Sequence, residues 1–187
     1  MLVKPSIRNS IQMEVSEARQ LFDPHELTKP YLDHLRSESP QMTALMHEAL
    51  RCYTASSSIR LTLAPVPIGK RVIPTNSVVL VPFRPLHYDE EVFGSDVNTF
   101  NPDRFVKNKG LSNSQNFKPF SAGSSYCPGR KLATMEFIGF VAEMLGAYDV
   151  EVVGEMKVPS ADERTPTKGI VLPIETEDLT LRISRKR

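Results

Sequence analysis

The stretch Phe120-Ser-Ala-Gly-Ser-Ser-Tyr-Cys-Pro-Gly-Arg130 sets one cysteine between two glycines, directly ahead of a long apolar segment. Gly123 and Gly129 flank Cys127 at positions where the backbone turns tightly or approaches a flat ligand without a side chain in the way. A sulfur held near the start of a helix faces free backbone N–H groups and the positive end of the helix dipole, both of which favour a thiolate that can ligate metal. The plainer alternative is an inert, buried cysteine. The rest of the chain has to choose between them.

Outward from that loop, residues 131–146 are apolar almost all round and predict a central helix, with Gly146 as its C-cap. Beyond it, Val150 and Val152, then Leu179, Leu181 and Ile183, alternate with polar residues and predict a small set of C-terminal strands over 147–187. Upstream, residues 1–38 read as a polar lead-in with one helix, from about Pro24 to Glu38, in which Leu27, Tyr31, Leu32 and Leu35 recur at helical spacing. Ser39 as N-cap and Pro40 in the first turn predict a second, stronger helix within 39–55. Its Met42, Leu45, Met46, Ala49, Leu50 and Tyr53 form a single stripe. Glu48 and Arg51 lie off that stripe, three apart, and by periodicity alone form a solvated pair worth about 0.2–0.5 kcal/mol.

Over 56–82 the period changes to two: Ile59, Leu61 and Leu63 predict a half-buried strand, with Val78 to Val81 as its partner in a small antiparallel sheet. Residues 83–119 read as a meander, with a short helix near Asp89 to Phe93 and an exposed run over 106–119. Within it, Phe100-Asn-Pro-Asp-Arg104-Phe105 places an arginine between two packing aromatics. A buried guanidinium there requires an acid nearby.

The 187 residues, 40% of them apolar, suffice for one core and predict a mainly α fold with small antiparallel β-sheets, an α+β arrangement. A net charge of +1 gives no reason to expect nucleic acid as a partner. Two cysteines, four scattered histidines and no C-x-x-C spacing argue against both a disulfide framework and zinc. With no apolar run long enough to span a bilayer, the chain is expected to be cytoplasmic or peripheral.

Taken together, these segments resemble the C-terminal part of the cytochrome P450 family, the haem-thiolate monooxygenases, over roughly residues 27–187. Phe120, Gly123, Cys127 and Gly129 match the family's F-x-x-G-x-x-x-C-x-G loop. Glu48-Ala-Leu-Arg51 resembles its E-x-x-R helix and Phe100 to Phe105 its aromatic-arginine meander. The resemblance implies that Cys127 is the axial thiolate ligand of haem b, with Phe120, Gly123 and Gly129 of the same loop as further cofactor-binding residues. It also implies that Glu48, Arg51 and Arg104 form a buried structural network, and that Arg60 reaches a haem propionate or else is a solvent-facing strand residue.

The implied activity is monooxygenation of a small lipophilic molecule, in the manner of microsomal, fungal secondary-metabolism members, with electrons from an NADPH-dependent reductase. Family members of that type reside at the endoplasmic reticulum. Departures from the family pattern are Ser125, where a propionate-binding Arg or His is common, Ser121 in place of a glycine, and Thr54 in place of a proline. No segment matches the family's oxygen-activating helix, so no catalytic residue is assigned. The competing expectation is a truncated, catalytically incomplete remnant or a non-catalytic haem-binding module.

Overall fold

A computed structural model describes residues 5–23, 28–155, 159–160, 162 and 169–186. Its helices are α1 (Pro5–Leu21), α2 (Lys29–Glu38), α3 (Pro40–Tyr53), the short α4 (Glu90–Phe93) and α5 (Asp103–Lys107), and α6 (Arg130–Ala147). Three two-stranded antiparallel sheets complete it among the described residues: β1 (Ser57–Leu61) with β4 (Val78–Pro82), β2 (Val66–Ile68) with β3 (Arg71–Ile73), and β5 (Tyr148–Val152) with β6 (Leu181–Arg185). The architecture is the mainly α fold with small sheets.

Helix α1 occupies a stretch that reads as polar lead-in. Its buried stripe is only Ile7, Ile11, Val15 and Ala18, too narrow to stand out among 17 residues, yet it seals one core against α2, α3 and α6. Of the helix expected from Pro24, the first residues, Leu27 included, lie outside the described residues. The described part begins at Lys29, where the hydroxyl of Thr28 accepts the N–H of Tyr31 at 3.5 Å.

Ser39 stands at the N-cap of α3 but makes no side-chain cap bond. Glu14 of α1 does that work instead, accepting the N–H groups of Gln41 at 2.8 Å and Met42 at 3.0 Å. A carboxylate there also meets the positive end of the helix dipole. Burial pushes the Glu14 carboxyl up from its ordinary value, against the pull of those two bonds.

Helix α3 is buried on more than one side. Met42 and Leu45 face the first core, while Ala44 faces a second one built with Phe93, Val97, Phe105, Leu111 and Phe117. Two of these, Leu111 and Phe117, come from the 106–119 run that the sequence presents as exposed. The aromatic contacts Phe93–Phe105 and Phe105–Phe117 hold that run down.

In β1 the side expected to be covered is not the covered one, and Ser58 alone of the strand is buried. Ile59, Leu61 and Leu63 are 65%, 56% and 84% exposed, whereas Ser58 and Thr62 are buried. The Thr62 hydroxyl donates to Pro74 O at 2.6 Å and accepts from Ser77 N at 2.9 Å, so a polar hook replaces apolar packing on the covered side. Gly146, expected as a C-cap, lies inside α6, which continues to Ala147. The Arg19 guanidinium fills the space a side chain would need, with Nε 2.5 Å from where a Cβ would stand, and Arg19 bonds Glu143 at 2.9 Å. Ile138, Val141, Ala142 and Leu145 of α6 are buried, while Leu132 and Phe140 stay exposed. No helix among the described residues is long and apolar enough to cross a membrane.

Candidate functional site

Cys127 sits two residues ahead of Gly129, the N-cap of α6. The loop is closed by its own backbone: Cys127 N donates to Phe120 O at 3.0 Å, Tyr126 N to Gly123 O at 3.1 Å and Ser121 N to Lys118 O at 3.2 Å. Gly123 has φ +61°, and so does its role demand glycine, since that backbone region is strained for most residues. Ser121 adopts φ 69° without that relief, and its buried hydroxyl has no hydrogen-bond partner among the described residues. Cys127 itself is half-buried. A Cβ on Gly129 would stand 3.8 Å from Cys127 Sγ, so the missing side chain keeps one approach to the sulfur uncrowded. Phe120, Gly123 and Tyr126 border an adjoining cavity of about 470 Å³ that reaches Met46 and Leu50 of α3.

Arg130 anchors the exit of the loop. Its Nη1 donates to Cys127 O at 3.1 Å and its guanidinium lies 4.3 Å from the Tyr126 ring centroid.

Behind the loop, Glu48, Arg51 and Arg104 meet in one network. Arg51 Nε and Nη2 each donate to the Glu48 carboxylate at 2.8 Å, a two-pronged pair in which both side chains are fully buried. Arg104 Nε lies 3.2 Å from both Glu48 oxygens, and Asn101 N donates to Oε1 at 2.8 Å. Two guanidiniums against one carboxylate leave a positive excess. Asp96 meets it from the rim, accepting from Arg104 Nη1 at 2.9 Å. Arg104 also donates to the carbonyl oxygens of Phe93, Asp96 and Thr99, and the hydrogen bond from Asn101, followed by that from Arg104, holds the Asp96 carboxyl below its ordinary value. Arg51 lies 5.3 Å from the Tyr88 ring and 5.6 Å from the Phe93 ring. Periodicity assigns Glu48 and Arg51 to solvent. It fails because the segment that covers them, with Arg104, lies about fifty residues downstream.

Asp96 and Asn101 carry no sequence signature of this role; only their nearness to Arg104 in the chain hints at it. Arg60 is exposed on β1 and donates to Ile59 O of its own strand at 2.9 Å, away from the Glu48 network. The second cysteine, Cys52, differs in kind from Cys127: it is buried beside Glu48, and burial with that carboxylate pushes its thiol up to about 11.

Residues 1–181 match the family described as cytochrome P450, so the match extends over α1 as well. The chain is 31% identical over 157 residues to cytochrome P450 3A40 of Oryzias latipes, covering 83% of this chain and 30% of that protein. It is 29% identical over 171 residues to cytochrome P450 monooxygenase poxD of Penicillium oxalicum, covering 87% and 34%. To the steroid 17-alpha-hydroxylase/17,20 lyase of Gallus gallus it is 29% identical over 177 residues, covering 91% and 33%. The chain thus spans about a third of the length of these curated relatives.

Proposed function

This chain belongs to the cytochrome P450 family, and we propose that Cys127 is the axial thiolate of a haem b serving monooxygenation of a small lipophilic substrate. The observation that carries the reading is the half-buried Cys127, presented by a closed backbone loop, with Gly129 leaving one approach to its sulfur uncrowded. A single soft sulfur donor suits haem iron, and thiolate-ligated haem supplies oxygen activation.

Each neighbouring residue then has a part. Gly123 and Gly129 shape the loop, Phe120 borders the adjoining cavity, and the hydrogen bond from Cys127 N to Phe120 O holds the ligand's backbone in place. Glu48, Arg51 and Arg104 touch no reacting atom; they keep the helix and meander behind the loop in register. Arg60, whose guanidinium is exposed, is the propionate partner once it turns from its own strand. The whole protein takes electrons from an NADPH-dependent reductase and acts in secondary metabolism at the endoplasmic reticulum. Names of relatives, among them monooxygenases and a hydroxylase, support the reaction class.

The test is the ferrous–CO spectrum of the 187-residue chain loaded with haem. Thiolate ligation gives a strongly red-shifted Soret band. Cys127→Ala is expected to abolish it and Cys52→Ser to leave it intact. A band that survives Cys127→Ala overturns the assignment.

A further inference from the structure

We propose that His87 is a positioning residue for Cys127, its imidazole acting as the strut between the Glu48–Arg51 pair and the loop that presents the sulfur. The inference rests on Cys127 being the ligand. His87 lies in the short 3-10 turn Arg84–Tyr88 and is fully buried. One face of its ring meets Phe117, at 5.6 Å between centroids.

Both ring nitrogens are used, at opposite ends. Nε2 is 3.0 Å from the backbone N of Lys118, a group that can only donate, so Nε2 is the acceptor. Nδ1 therefore carries the proton of the neutral ring, and it donates to Arg51 O at 3.2 Å. That carbonyl lies in the last turn of α3, where the helix offers it no partner. Arg51 returns the contact, its Nη1 donating to His87 O at 2.9 Å. The imidazole and the guanidinium thus clasp each other's backbones.

The other end leads to the sulfur. Lys118 stands two residues before Phe120, whose carbonyl accepts Cys127 N, and its own carbonyl accepts Ser121 N. Weaker side-chain holds support His87 on this segment: the Ser56 hydroxyl at 3.4 Å from Lys118 O and Pro119 O, and Lys118 Nζ at 3.3 Å from Ser114 O. The line from the buried ion pair to the loop is continuous: Glu48, Arg51, His87, Lys118, Phe120, Cys127. A histidine that merely filled the core would be replaceable by any side chain of its size. One that positions the loop must retain an acceptor at the Nε2 end.

Three substitutions separate the two ends. His87→Gln keeps an amide oxygen at the reach of Nε2, His87→Asn is shorter and reaches only where Nδ1 lies, and His87→Phe keeps volume with neither bond. Readouts are the fraction of thiolate band in the ferrous–CO spectrum of the haem-loaded chain, and, without haem, hydrogen exchange at the Lys118 amide with the alkylation rate of Cys127. Asn and Phe are expected to speed Lys118 exchange by about tenfold or more, alter the alkylation rate and lose most of the thiolate band. Gln should stay near wild type in all three.

Wild-type exchange and alkylation in the Asn variant overturn the proposal, as does a Gln variant that melts like wild type yet loses the band as fully as Phe. Since Gln and Asn are compared with each other, instability common to both does not decide the result. A wild-type chain with no thiolate band refutes the haem reading instead, and the two haem-free readouts then decide the strut by themselves.

Discussion

Glu48→Gln is the sharpest perturbation of the network behind the loop. The substitution keeps the shape of the side chain but removes a fully buried carboxylate, which accepts two bonds from Arg51 at 2.8 Å, two contacts from Arg104 Nε at 3.2 Å and Asn101 N at 2.8 Å. The new amide also turns a donating NH₂ toward donors that cannot accept. Asp96 still meets Arg104, but among the described residues no other carboxylate then pairs with Arg51, whose side chain has no exposure to water. Removing one partner of such a buried pair costs about 3–5 kcal/mol, because the surviving charge is left uncompensated. For a chain of this size 1 kcal/mol moves Tm by roughly 2–4 °C, so a fall of about 6–20 °C is expected by calorimetry or circular dichroism. Asp33→Asn, which breaks the exposed contact with Lys29, serves as the control and should leave the melt unchanged. A Glu48→Gln chain that melts with the wild type refutes the reasoning: the network would then carry no more weight than a surface pair.

Two further outcomes follow from the titratable groups. Burial, with the nearby Arg51 and Arg84 charges, lowers His87 to about 4, whereas an unfolded histidine titrates near its ordinary value of about 6.5. Between these values the unfolded chain binds a proton that the folded chain refuses, so stability falls as pH drops from about 6.5 to 4, by a total of about 3 kcal/mol. Urea midpoints at pH 7 and pH 5 should therefore converge in His87→Gln relative to wild type; equal pH slopes would count against it. Glu14→Ala should cost about 0.5–2 kcal/mol in the same assay, since it strips the acceptors from Gln41 N and Met42 N at the start of α3; a change below that range would mean water replaces the carboxylate without loss.

The cysteine loop was legible because its requirements are local: two glycines, a phenylalanine and a sulfur at fixed spacing, followed by a helix. The network behind it was legible only through resemblance. Glu48 and Arg51 lie off the apolar stripe of α3, and no property of residues 40–53 reports that Arg104 and Asn101 will cover them. Alternation in β1 gave a strand but not its covered side, because which face is buried depends on what packs there, and Thr62 supplies hydrogen bonds where leucine was expected. Gly146 reads as a helix terminator in sequence, yet it serves to admit Arg19 from α1. His87 and Asp96 belong to the same class. Their partners are backbone groups or distant side chains, which leave no periodic mark.

The two-stranded sheets β1–β4 and β2–β3 have a consequence for how copies of this chain meet in solution. Each is a two-stranded sheet with open edges, and Ile59, Leu61, Val72, Val78 and Leu80 expose more than half of their surface. Such edges are templates for intermolecular strand pairing unless charge keeps them apart. From residue 54 to residue 88 the only charged side chains are Arg60, Lys70, Arg71 and Arg84, all of one sign. Repulsion among these cations opposes such pairing, and a repulsion between exposed charges weakens as salt shortens its range to a few ångströms. Colloidal stability here is thus a matter of ionic strength, with added salt favouring association where, for a surface of mixed sign, it would loosen contacts.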